Sequence, residues 1–170
     1  MIRKARQGDL MQIQSIYEKA RQLMRYTGNA TQWVDGYPSE EIIRNDIRQG
    51  NFYVEEIKGE ITGCFAYIVG EEPTYQQIDG NWLDEEPYGT IHRLASSGCT
   101  GGVADRCFEF CRSITPNLRA DTHENNKIMQ RLLLRNGFRY CGIIRVTNGS
   151  ERLAYQLSET MPVTSPTKSP

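Results

Sequence analysis

The sequence predicts an α/β fold: a mixed, mostly antiparallel central sheet with flanking helices. Three observations carry this. Apolar residues recur with helical period in four stretches and with a period near two in the others. Lys58-Gly59 and Asn148-Gly149 sit between alternating segments as two-residue hairpin turns, which join antiparallel neighbours. One glycine-rich turn instead leads from a strand directly into a helix, which requires a crossover.

The elements follow in order. Ile2-Arg3-Lys4-Ala5 is a short opening strand, and Asp9 starts a helix with Gln12 completing a capping-box pattern. Leu10, Ile13, Ile16, Tyr17, Ala20, Leu23 and Met24 form its apolar stripe. A polar loop carrying Trp33 and Tyr37 leads to a second helix, which is capped by Ser39, has Glu40 and Glu41 in its first turn and is stopped by Gly50. Phe52 to Ile57 and Ile61 to Val69 are strands. Gly70 to Gly89 is a long connection holding Glu71, Glu72, Asp79, Asp84, Glu85 and Glu86 without a Lys or Arg, and such loops are often functional.

Thr90 to Ala95 is the next strand, followed by the glycine-rich turn and a helix from Val103 to about Ser113. Leu118 to Thr122 is a strand, and a helix from Asn125 or Asn126 ends at Asn136-Gly137. Phe138 to Val146 and Glu151 to Leu157 are the closing strands. Residues 1–157 thus form one domain. From Ser158 to Pro170 the chain is a polar, Pro/Ser/Thr-rich tail without a core pattern.

Composition narrows the function classes. Twenty Lys and Arg balance twenty-one Asp and Glu, so the whole chain has no bias toward nucleic acid or an anionic membrane. No apolar run is long enough to span a bilayer, and the N-terminus lacks a signal-peptide core. Five cysteines without paired short spacings argue against a disulfide framework and place the chain in the cytoplasm. Cys107 and Cys111 share a helix face, but no further ligand lies near them in sequence, so packing rather than metal is expected.

The strand–loop–helix unit around Ser96-Ser97-Gly98-Cys99-Thr100-Gly101-Gly102-Val103-Ala104 aims backbone N–H groups and the positive end of a helix dipole above a strand end. That is an anion site, and phosphate is its commonest occupant. With the element order, this unit resembles the GNAT superfamily of acyl-CoA-dependent N-acetyltransferases over residues 1–157. Cys99 to Ala104 is similar to the family's pyrophosphate loop, [Gln/Arg]-x-x-Gly-x-[Gly/Ala]. Asn126, Met129, Leu132 and Asn136-Gly137-Phe138 are similar to its later motif, Asn-x-x-Ala-x-x-Leu-Tyr-x-x-x-Gly-Phe.

The sequence also departs from the family pattern. Cys99 replaces Gln or Arg, the loop is shorter than usual, and Leu133 stands where many members carry a Tyr general acid. No Lys or Arg lies between Leu94 and Asp105. Pyrophosphate would then rest on backbone N–H groups and the helix dipole, at about 1 kcal/mol per favourable interaction.

The resemblance implies acetyl-CoA as co-substrate and no metal. It places Arg93, Leu94 and Ala95 beside the pantetheine, with Cys99, Thr100, Gly101, Gly102, Val103, Ala104 and Asn126 completing the donor site. It implies that the acceptor is a primary amine on a small molecule or peptide, and it leaves monomer and homodimer both open. His123, with Asp121, is the first candidate for taking the ammonium proton, since an unperturbed imidazole titrates near neutrality; His92 and Glu124 are alternatives. Ordering the turn before the last helix is the competing role for His123 and Asp121. Trp33 and Tyr37, with Tyr75, Trp82 and Tyr88, are the expected acceptor contacts, and the acidic run from Glu71 to Glu86 either attracts a cationic amine or, as charge runs usually do, forms a solvated face. The departures keep a second function class open, a non-catalytic acyl-CoA-binding or sensing domain. Thiol release from acetyl-CoA against a panel of amines separates the two.

Overall fold

The computed structural model describes residues 1–159. Its strands are β1 (Ile2–Lys4), β2 (Phe52–Ile57), β3 (Glu60–Val69), β4 (Asp79–Gly80), β5 (Gly89–Ser96), β6 (Leu118–Thr122), β7 (Arg139–Arg145) and β8 (Glu151–Leu157). The helices are α1 (Leu10–Tyr26), α2 (Glu40–Arg48), α3 (Val103–Ile114) and α4 (Lys127–Arg135). Residues 160–170 of the expected tail lie outside the described residues.

The eight strands form one sheet in the order β1-β2-β3-β5-β6-β8-β7-β4, antiparallel except where β5 meets β6. Helix α1 and α2 bury Ile13, Ile16, Tyr17 and Ile43 on one face, against Phe52, Val54, Cys64 and Ala66. Helices α3 and α4 bury Cys107, Phe108, Cys111 and Leu133 on the other, against Phe65, Tyr67, Ile91, Ala120 and Tyr155. Cys107 and Cys111 are therefore packed in the core, and all five cysteines are free thiols. Gly63 is what lets α3 start so close to the sheet: a Cβ there would stand 2.3 Å from the Val103 Cγ1.

The Ser39 cap acts as read, its Oγ accepting from the Ile42 N–H at 3.3 Å, and of the two expected starts of α4 it is Asn126 that caps the helix, through the Met129 N–H at 3.0 Å. The capping box at Asp9 does not form. The Asp9 carboxylate instead accepts from the Arg3 guanidinium and from the Arg6 N–H, while Gln12 accepts from the Ile61 N–H across the interface. A charge-assisted pair with Arg3, six residues back, has displaced the expected cap. The 70–89 connection is more ordered than read: it holds a 3-10 turn at Pro73–Tyr75, the two-residue strand β4 on β7, and a small apolar cluster of Tyr75, Tyr88, Ile144 and Ala154.

Candidate active site

The parallel β5–β6 ladder is short. It pairs Gly89, Thr90 and Ile91 with Leu118, Arg119 and Ala120 and then stops, although β5 runs on to Ser96 and β6 to Thr122. The strands splay beyond that point, and β5 from His92 onward has no β6 partner. A backbone edge of this kind is a template for another extended chain. A cavity of about 640 Å³ runs through the opening. Phe108, Met129 and Leu133 line it from the α3–α4 face, and Trp33, Tyr37, Ile42 and Glu72 from the α1–α2 face.

A β-bulge shapes the wall at the splay. Ala66 pairs with His92 and Cys64 with Ala95, so Arg93 and Leu94 together oppose Phe65 alone. Arg93 takes φ +56, a left-handed conformation costing about 1 kcal/mol in a non-glycine residue. Its carbonyl accepts from the Tyr17 hydroxyl at 2.6 Å, and its guanidinium donates to Asp46 at 2.6 Å and to the Tyr37 hydroxyl at 3.1 Å. Consecutive strand residues normally point to opposite faces. Here the extra residue turns His92 and Arg93 to the same one, toward α2 and the 70–89 connection.

His92, in regular register with Ala66, faces the cavity with its Nε2 3.1 Å from Glu72 Oε2, both side chains less than one-fifth exposed. The His92 hydrogen bond, with help from Thr74, holds the Glu72 carboxyl down at about 2 against the ordinary 4.5. An ionised carboxylate only accepts, so Nε2 keeps its proton and Nδ1 is the open lone pair of the neutral ring. Across the splay, Asp121 also lines the cavity and accepts from the Tyr75 hydroxyl at 2.6 Å. Burial and the Asp121 charge push Tyr75 well above its ordinary value, so it stays a donor.

At the start of α3, the loop donors are free. Gly98 and Cys99 N–H groups bond Ser96 and Ser97 side chains, whereas those of Thr100, Gly101, Gly102 and Val103 have no protein acceptor among the described residues. The Thr100 Oγ1 is buried and likewise without a partner. Gly102 turns the chain into α3 at φ +76. The nearby cations are occupied: Arg106 pairs with the buried Glu55 and donates to the Gly101 carbonyl, and Arg135 holds Asp105 at 2.7 Å. These unpaired N–H groups and the orphaned hydroxyl suit a polyanion held by backbone and dipole, so the residues present fit a CoA pyrophosphate.

The structure brings Arg93, Leu94, Asp121, Asn126, Trp33 and Tyr37 to the cavity wall, and leaves other expected residues elsewhere. Ala95 is buried against α1. Cys99 to Ala104 form the loop and first turn beyond the cavity. His123 is not among the lining residues: its ring meets the Thr31 hydroxyl at 3.3 Å and accepts the Asn125 N–H at 3.1 Å, ordering the β6–α4 turn. Burial and nearby Arg152 lower its affinity for a proton. Trp82 and Tyr88 stand outside the lining as well, stacked on the Arg119 guanidinium at 4.2 and 3.9 Å, with Trp82 bracing Tyr75. Of the acidic run, Glu72 alone reaches the wall, while Asp84 ties Asn117, Gln156 and Ser158 together. Tyr75, expected among the acceptor contacts, reaches the site through its bond to Asp121, and Glu72 is legible in the sequence only as one member of the acidic run. Sequence reasoning missed Arg152, for which there was no signal.

No protein-family model and no curated protein matches the chain. Solved structures do. A GNAT-family acetyltransferase from Streptococcus agalactiae is 36% identical, with TM-score 0.84, covering 94% of this chain and 95% of that one. A candidate acetyltransferase from Staphylococcus aureus is 27% identical, with TM-score 0.70 over 93% and 98% of the two chains. At 18% identity and TM-score 0.59, the Neisseria gonorrhoeae N-acetylglutamate synthase, solved with coenzyme A and N-acetylglutamate, shares the fold over 92% of this chain and 34% of its own. No helix among the described residues is long and apolar enough to cross a membrane. Through its identity to the streptococcal enzyme over nearly the full length of both chains, this chain belongs to the GNAT family of acetyltransferases.

Proposed function

We propose that this N-acetyltransferase moves an acetyl group from acetyl-CoA to a primary amine that enters from the α1–α2 face, with His92 as proton acceptor. The observation that carries this is the His92–Glu72 pair, aimed into a cavity that opens onto the unpaired edge of β5. Bound acetyl-CoA supplies an activated carbonyl and a thiolate leaving group. The Thr100 to Val103 N–H groups would hold its pyrophosphate, and the β5 edge from His92 its pantetheine.

The residues of the chain then divide the work. Asp121 and Glu72 attract the ammonium, and His92 Nδ1 takes its proton while Glu72 keeps the ring in the required tautomer. The free amine forms the N–C bond as the C–S bond breaks, and the surplus proton on the acylated nitrogen passes to the thiolate once it has left. Leu133 is buried against the cavity and offers no proton, so the thiol departs as its anion. His123 is assigned to ordering the β6–α4 turn. Five free cysteines fit a cytoplasmic location.

The test is thiol release from acetyl-CoA against a panel of amines, with His92→Gln alongside. Turnover lost in the variant with CoA affinity retained is the expected result. Clear CoA binding without turnover of any amine would overturn the enzyme reading and leave a sensing domain.

A further inference from the structure

On the α1–α2 face of the cavity lies a buried cation with no carboxylate in contact among the described residues. Arg152 is 7% exposed and lines the cavity. Its guanidinium donates to the Ser150 hydroxyl at 3.0 Å and to the Glu151 and Gln32 carbonyls at 2.8 and 3.3 Å, all neutral acceptors. Among the described residues no carboxylate comes within 4.0 Å of it. The other lining arginine, Arg93, is neutralised by Asp46. A buried charge without a partner is costly, and proteins keep one where a ligand completes it.

Its position separates it from the CoA phosphates. Arg152 pairs with Ile144 across β8–β7 and alternates with Ala154, and both belong to the apolar cluster around Tyr75. It therefore shares a face with Asp121, which pairs with Ala154 and bonds Tyr75. The pyrophosphate loop opens α3, on the opposite face. Burial disfavours the charge of Arg152, and the nearby Asp121 carboxylate restores part of it.

We propose that Arg152 is an anion-recognition residue in the acceptor site, so that the preferred acceptor is a small amine also carrying a carboxylate or phosphate. This rests on the reading above: the amine end is met by Asp121, Glu72 and His92, and the anionic end by Arg152 beside Gln32. A guanidinium fork suits either oxyanion.

The experiment compares kcat/KM for three matched sets with the wild-type protein: α-amino acids, aminoalkyl phosphates, and the corresponding amino amides and simple amines. Losing a charge-assisted pair costs about 10- to 100-fold, so one anionic set should exceed the neutral one by that margin. Which anionic set leads tells carboxylate from phosphate. Arg152→Gln should erase the margin by raising KM for the anionic acceptors, and Arg152→Lys should restore part of it.

Equal kcat/KM across the sets overturns the proposal while leaving the acetyltransferase reading intact, and it needs no variant. If no amine turns over, that reading fails. Calorimetric binding of the same compounds to the CoA-loaded protein then decides: tighter binding of anionic compounds, lost in Arg152→Gln, supports the subsite, and no difference refutes it.

Discussion

Replacing Glu72 by Gln keeps a hydrogen-bonding group beside His92 but removes the charge that fixes its tautomer. The structure sets the scale. Glu72 is held at about 2 against an ordinary 4.5, chiefly by the His92 hydrogen bond. At about 1.4 kcal/mol per pH unit, that is a preference of about 3 kcal/mol for the ionised form. A Gln amide can donate as well as accept, so the ring can present a protonated Nδ1 to the cavity and lose its role as acceptor. General-base catalysis contributes about 10²- to 10⁴-fold, and we expect kcat to fall by about 100-fold in Glu72→Gln. CoA affinity should hold, because the loop donors lie on the other face of the sheet.

Stability carries a second signature with a definite sign. The folded-state value lies below the ordinary one, so the Glu72 contribution is complete above 4.5 and is lost as pH falls through about 2. Urea unfolding should find the variant less stable by about 1–3 kcal/mol at pH 7, with the gap closing below pH 4.5. The rate assay is thiol release, run with His92→Gln and the double variant, which should be no slower than His92→Gln alone because the two residues act as one unit. An unchanged kcat in Glu72→Gln, or a stability gap as wide at pH 3 as at pH 7, would refute the reasoning.

Other positions test the frame around this pair. Gly63→Ala should lower stability by about 1–3 kcal/mol, since its Cβ would stand 2.3 Å from Val103 Cγ1. Thermal melts of a Gly63→Ala/Val103→Ala double variant should recover part of that loss. Gly102→Asp puts a side chain and a negative charge on a φ +76 residue at the dipole end of α3, and calorimetry should show CoA affinity reduced by at least about tenfold. Asn126→Ala removes the α4 cap and the tie to Gln32, costing about 1 kcal/mol by denaturant unfolding.

Much of the frame was legible in the chain itself. Period, caps and turn residues are local, and they placed every helix and all strands but β4. The Ser39 cap, the start of α4 at Asn125 or Asn126, the glycine-rich unit before α3 and the Asn126 motif were readable because each acts over a few residues. Asp9 was not, because its carboxylate is claimed by Arg3 and by the Arg6 N–H.

The catalytic side of the cavity was decided by tertiary structure alone. A bulge adds one residue without any mark in the alternation, and it turned Arg93 to the same face as His92, which stands in regular register beside Glu72, twenty residues away. His123 reads as the better base in sequence because it ends a central strand, but its ring is taken by Thr31 from ninety-two residues away and by its own turn. Arg152 looks like a routine strand arginine until the sheet buries it without a carboxylate. Sequence by itself determined where the chain bends, caps and pairs, since those energies are local. Which charges end up buried, and whether each meets an opposite charge, depends on residues dozens of positions apart, and packing alone settled that.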